Sequence, residues 1–89
     1  MKLNSYIIFD KQADKFNTPI FLENDAVAIR MVRNELLNPN SQISLSPQDY
    51  VIYKNAEFDD STGHYHGEAE LQLVMEVKDI QLPQVKEVK

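Results

Sequence analysis

One stretch of this chain carries a clear helical period. In residues 26–37, AVAIRMVRNELL, the side chains of Ile29, Val32 and Leu36 fall on one stripe, which Ala28 and Met31 widen. Arg30, Arg33 and Asn34 lie outside it. Asn24 or Asp25 offers an N-cap. Asn38 followed by Pro39 ends the helix, because proline cannot continue it and asparagine tolerates a left-handed backbone. The other apolar runs are short and rich in β-branched and aromatic residues. One amphipathic helix can cover one face of one sheet, so the expected fold is α+β: a small antiparallel sheet of about four to five strands with the helix packed on one face. The other face then needs a partner, a second subunit or a solvent-tolerant surface.

SYIIFD (5–10) reads as a strand, and PIFLEN (19–24) as a second one that opens with a proline suited to an edge. The polar KQADKFNT (11–18) joins them as a loose hairpin. NPNSQISLSPQD (38–49) is rich in turn residues and has no period, which predicts a surface loop. YVIYKNAEF (50–58) is a strand with Val51 and Tyr53 on one side and Tyr50 and Ile52 on the other. A short strand is expected around HYH (64–66). ELQLVMEVKDI (70–80) would be another, with Leu71, Leu73, Met75 and Val77 on one face and a helix as the rival reading. Residues 1–82 form one domain in this reading, and 83–89 are a flexible C-terminal tail.

The chain has no cysteine, so no disulfide framework and no thiolate metal site is available to it. Its N-terminal apolar run is too short for a signal peptide, and no apolar stretch is long enough to span a bilayer. A soluble, intracellular protein without a membrane partner is expected. The net charge is −5, and the excess is confined to residues 45–89, which carry four Lys/Arg against nine Asp/Glu. An acidic chain repels phosphate backbones at long range, so any nucleic-acid contact would need a local patch. The helix arginines Arg30 and Arg33, with Lys11 and Lys15 folded nearby, are the best candidates. Tyr53, with Tyr50 or Tyr65, would serve as a stacking platform.

EFDDSTGHYHGE (57–68) looks most like chemistry. Asp59, Asp60, Ser61, Thr62 and Gly63 are accounted for by a hairpin turn, because Asp and Ser bond to nearby backbone and glycine supplies a positive φ. A metal reading would take His64 and His66 on one strand face, with Asp59 or Asp60 as a third ligand. The stretch reproduces only a fragment of a calcium loop. With two glycines in the chain there is no phosphate-cradling loop, and no nucleophile motif is present. No catalytic residue and no cofactor is expected, and the chain is not read as an enzyme.

An ordered series of segments nevertheless resembles a known family. A strand ending at Asp10 is followed by PIFL (19–22), DAVAIR (25–30), NPNS (38–41), SPQDYVIY (46–53) and EFDDSTG (57–63). This order and spacing, over residues 3–63, is similar to the small non-structural protein of gokushoviruses, phages of the Microviridae with circular single-stranded DNA genomes. Asn55 and Ala56 depart from the small apolar residue and glycine that often precede the Glu-Phe-Asp-Asp run there. The segment after Gly63 varies widely in such proteins, which makes His64 and His66 local features. The resemblance implies a non-structural phage protein made in the host cytoplasm and absent from the virion. Such proteins are described as DNA-binding, or as acting where genome replication turns to single-strand synthesis and packaging. Expected partners are a second copy of the chain in a dimer, other phage replication or packaging proteins, a host protein, and single-stranded DNA bound weakly.

Overall fold

The computed structural model describes residues 1–82. Five antiparallel strands form one sheet: β1 (Lys2–Asp10), β2 (Lys15–Phe16), β3 (Ile20–Leu22), β4 (Tyr50–Asp59) and β5 (His64–Glu76). β2 and β3 lie end to end along one edge of β1, pairing Phe9 with Phe16 and Ser5 with Phe21. β4 runs along the other edge of β1, and β5 closes the sheet outside β4. The helix α1 (Asp25–Leu36) crosses one face. The fold class expected from the sequence is the one observed.

The helix begins where its cap chemistry says it should. Asn24 is extended, and its Oδ1 accepts the Val27 N–H at 3.0 Å. Asp25, in the first turn, faces the positive end of the helix dipole. Its Oδ1 also accepts the Tyr6 hydroxyl at 2.6 Å, which ties the helix start to the sheet. The buried seam is centred on Ala28 and Val32, with Ile29, Met31 and Leu36 packed around it. Below it lie Tyr6, Ile8 and Ile52 from the sheet, and Val77 and Ile80 from the segment after β5. The helix stops at Leu37, whose backbone is right-handed, so its end owes nothing to a left-handed asparagine. The Asn38 Oδ1 instead accepts the Asn40 N–H at 3.1 Å, folding a turn around Pro39.

Three further segments differ from the sequence reading. The expected loop at 38–49 contains a one-turn helix, α2 (Gln42–Leu45), capped by the Ser41 hydroxyl, and a 3₁₀ turn at Pro47–Asp49. Neither carries a helical repeat long enough to read, although Ile43 reaches the core. The two strands expected around 64–66 and 70–80 are one strand, β5, which ends at Glu76 and passes into a 3₁₀ turn at Val77–Asp79. Its register is broken twice: residues 68–71 stand opposite Asn55 alone, and Val74 is extra between the pairs Tyr53–Leu73 and Ile52–Met75. The second irregularity puts Leu73 on one face and Met75 on the other, so the expected stripe from Leu71 to Val77 is split. The tail expected at 83–89 lies outside the described residues.

Candidate protein-contact face

The strand registers sort the side chains onto two faces. Tyr6, Ile8, Tyr50 and Ile52 point towards the helix. Leu3, Ser5, Ile7, Phe9, Val51, Tyr53, Ala56 and Phe58 point away from it, joined at the edges by Phe16, Phe21, Tyr65, Gly67 and Leu73. All four phenylalanines of the chain are on this second face, and among the described residues no helix covers it.

Two aromatic groups organise the face. Phe16, on β2, has its ring 4.8 Å from that of Phe9 and 6.2 Å from that of Tyr53 on β4. Phe21, on β3, stands 5.7 Å from Phe58 on β4 and 5.8 Å from Tyr65 on β5, and those two are 4.9 Å apart. To make these contacts both edge rings must lean across β1. The row beneath Phe21 is Ser5, Ala56 and Gly67, side chains small enough to let a ring lie over them. That cover explains why Ser5, Ile7 and Val51 are buried although the described residues supply no second layer on this side. The covering side chains are themselves exposed: Phe16 by 42%, Phe21 by 39%, Tyr65 by 63% and Leu73 by 62%. An apolar surface of this kind rimmed by polar residues is the usual mark of a contact site.

The face is also nearly free of charge. Glu76, which pairs with Val51, is the one Asp, Glu, Lys or Arg that the registers put on it. Its carboxylate is shared between Lys11 at 3.5 Å and Lys78 at 3.8 Å. A second ionic cluster lies on the helix-facing side of β4 and β5. There the Lys54 ammonium, at the end of a half-buried residue, meets Glu57 at 3.0 Å and Glu68 at 3.6 Å. The Glu57 hydrogen bond holds the Lys54 pKa above its ordinary value, and the same contact holds the Glu57 carboxyl below its own. Nearby, burial and then the bond to Asp25 push the Tyr6 phenol up to about 12. That hydroxyl also accepts from Asn4 Nδ2 at 2.9 Å.

The residues singled out in the sequence are dispersed. Arg30 and Arg33 are on the helix layer, and Tyr53 is on the aromatic face with the sheet between them. Tyr65 is also on the aromatic face, while Tyr50 packs towards the helix. Lys15 is exposed on β2. The Lys11 ammonium contacts the Gln48 carbonyl at 3.3 Å as well as Glu76. Asp59–Gly63 forms the β4–β5 turn. The Asp59 Oδ1 accepts the Ser61 N–H at 3.0 Å and the Ser61 hydroxyl at 2.6 Å, which lowers its pKa. The Asp59 carbonyl accepts the Gly63 N–H at 2.7 Å, with Gly63 at φ 76°. His64 and His66 are exposed at the start of β5, opposite Asp59 and Glu57. Among the described residues no group of three or more His, Asp or Glu is close enough to hold a metal, and no helix is long and apolar enough to cross a membrane.

Residues 3–80 match the family described as Phage ORF5 protein, a span that takes in the helix and all five strands except Lys2 at the start of β1. This chain belongs to the phage ORF5 protein family. The match extends past the Asp59–Gly63 turn to include β5, so the aromatic face of this ORF5 protein lies within the family's extent. No curated protein and no solved structure matched.

Sequence reading missed the aromatic face as a unit. The available signal was SYIIFD, in which Tyr6, Ile7, Ile8 and Phe9 are apolar without alternation. A strand of that kind is covered on both faces, and one helix supplies cover for one.

Proposed function

We propose that this phage protein is a non-enzymatic accessory factor in single-stranded DNA replication and packaging, acting through protein contacts on the aromatic face of its sheet. Family membership supports the phage setting. The resemblance to gokushovirus non-structural proteins supports the replication and packaging step, the host cytoplasm as the place of action and absence from the virion. The observation that carries the protein-contact reading is a face of six aromatic rings on which the described residues place no free cation. Sequence-tolerant single-strand binders combine stacking rings with a basic groove, and here the rings and the arginines are on opposite sides of the sheet. Candidate partners for the face in this reading are a second copy of the chain, a replication or packaging protein of the phage, or a host protein.

The test uses phage carrying Tyr65→Lys with Leu73→Lys. Double-stranded replicative DNA and packaged single strands are quantified in infected cells in which the variant accumulates normally. A selective fall in packaged single strands is expected. An unchanged ratio of the two DNA forms overturns the reading.

The second reading is a weak single-stranded DNA binder that contacts phosphates through Arg30 and Arg33 on the helix layer, with the exposed rings of Phe16 and Tyr65 on the far side of the sheet as the rival surface. Fluorescence-anisotropy titration with a single-stranded oligonucleotide at two salt concentrations separates the two. Tight binding at physiological salt would favour DNA as the ligand.

A further inference from the structure

We infer that the occupant of the aromatic face is a second copy of this chain, packed sheet against sheet about a two-fold axis. The inference rests on the reading of this face as a protein-contact surface, and names its partner.

Charge favours a like partner. A two-fold contact sets each side chain against a surface of the same composition, so a charged patch repels itself while an uncharged one does not. This chain has a net charge of −5, and the encounter of two copies is repulsive over most of their surfaces. The aromatic face is the exception. Its one carboxylate, Glu76, is matched by Lys11 and Lys78, and the rest is Phe, Tyr, Leu, Ile, Val and small residues. A basic partner would be drawn to the acidic parts of the chain, and an acidic one gains nothing here.

The size of the face comes close to what this assignment needs. Four strand widths and the length of β1 give a face of about 600 Å² in projection, from strand spacings near 4.8 Å and a rise near 3.4 Å per residue. The relief of six rings adds to that. A stable interface buries about 800 Å² on each partner. The most exposed side chains, Tyr65 and Leu73, are both on β5, at the outer edge of the sheet. Facing sheets about 10 Å apart would bring these side chains into apolar contact.

Sedimentation equilibrium of the full chain up to high micromolar concentration provides the test. The wild type is expected at twice its 10.3 kDa mass. Tyr65→Lys with Leu73→Lys should weaken association by more than about 100-fold, because the two-fold contact would then have to bury four unpaired ammonium groups. Leu45→Lys, on the helix layer and 66% exposed, should leave it unchanged. Added salt should tighten the dimer, because screening relieves repulsion while the contact itself is apolar. A wild-type monomer at high micromolar concentration overturns the inference. So does a dimer that survives the double lysine variant, which would indicate another surface such as the β5 edge, or one that loosens in salt. Failure here leaves the accessory-factor reading standing, since that is decided by the DNA forms in infected cells. A dimer with no effect of the variant on those forms would remove the accessory-factor reading alone.

Discussion

The ring of Phe21, on one edge of the sheet, stands 5.8 Å from the ring of Tyr65, on a strand at the opposite edge. Two strands lie between their backbones. The contact exists because Ser5, Ala56 and Gly67 are small, so the ring of Phe21 can cross them and also reach Phe58. A sheet with a helix on one side has thereby assembled a partial cover for its other side from its own edge residues.

This contact has a measurable energy. Phe21→Ala should destabilise the chain by about 1–2 kcal/mol, below the 3–5 of a fully buried ring because Phe21 is 39% exposed. A double-mutant cycle of Phe21→Ala with Tyr65→Ala should return a coupling of about 0.5–1.5 kcal/mol, typical of an aromatic pair. Urea unfolding at one fixed protein concentration gives both quantities. Additive single mutants would show that the rings do not support one another.

On the helix side, Val32 rather than Leu36 is the critical contact, because Val32 is 1% exposed and Leu36 is only half-buried. Val32→Ala should cost about 2 kcal/mol, from two lost methyl groups and the space they leave. For a domain of this size that lowers the melting temperature by roughly 10 °C. Leu36→Ala should lower it clearly but by less. Circular dichroism melts of the two variants provide the comparison, and the reverse order would move the centre of the seam one turn along the helix.

Tyr6 sets an alkaline limit. Its phenol is raised from 10 to about 12 in the folded chain, so the unfolded chain loses that proton first as the pH climbs. Stability from this group is intact below pH 10 and declines between 10 and 12, by about 2–3 kcal/mol over the whole window. Tyr6→Phe should flatten that decline while lowering stability at neutral pH, because Asp25 and Asn4 lose a partner. Urea midpoints at pH 8, 10 and 11.5 for both proteins give the check.

The hairpin tip depends on backbone shape. Gly63 is at φ 76° with open space where a Cβ would stand, so Gly63→Ala meets strain but no clash. A cost of about 1 kcal/mol is expected, the penalty of a left-handed alanine. EDTA should leave the melting temperature of the wild type as it was. A loss with EDTA that zinc or calcium restores would bring His64, His66 and the two aspartates back as ligands.

Single-stranded DNA binding, where it occurs, should depend on Arg30 and Arg33. Two arginines with some help from Lys15 give a slope of log affinity against log salt between about −1.5 and −3. Arg30→Glu with Arg33→Glu should abolish that binding and leave the melting temperature nearly unchanged. Binding that persists in the double variant would point to the rings of Phe16, Tyr53 and Tyr65.

Much of this architecture could be read in the sequence where one rule acted locally. The helix at 25–36 followed from its stripe, Asn24 and Pro39, and the turn at 59–63 followed from Asp, Ser and Gly chemistry. What could not be read was set by pairing across strands. The split of Leu73 from Met75 comes from one unpaired residue, Val74, and nothing local marks it. The same holds for the aromatic face. Phe9, Phe16, Phe21 and Phe58 come from four strands, and each one alone is an ordinary apolar position. They become a surface only once β2 and β3 are laid along the same edge of β1.

The four residues 68–71 opposite Asn55 separate the β4–β5 hairpin into two ladders, one pairing 56–59 with 64–67 and the other pairing 51–54 with 72–76. Each ladder keeps its own register whatever joins them. A codon gained or lost within 68–71 would therefore alter the length of the gene product without moving a side chain from one face to the other. The same change within 64–67 would invert the face of every residue beyond it in that ladder. Length drift among descendants of this gene should accumulate at 68–71, and the same segment is the place to insert an epitope or a fluorophore without disturbing either ladder.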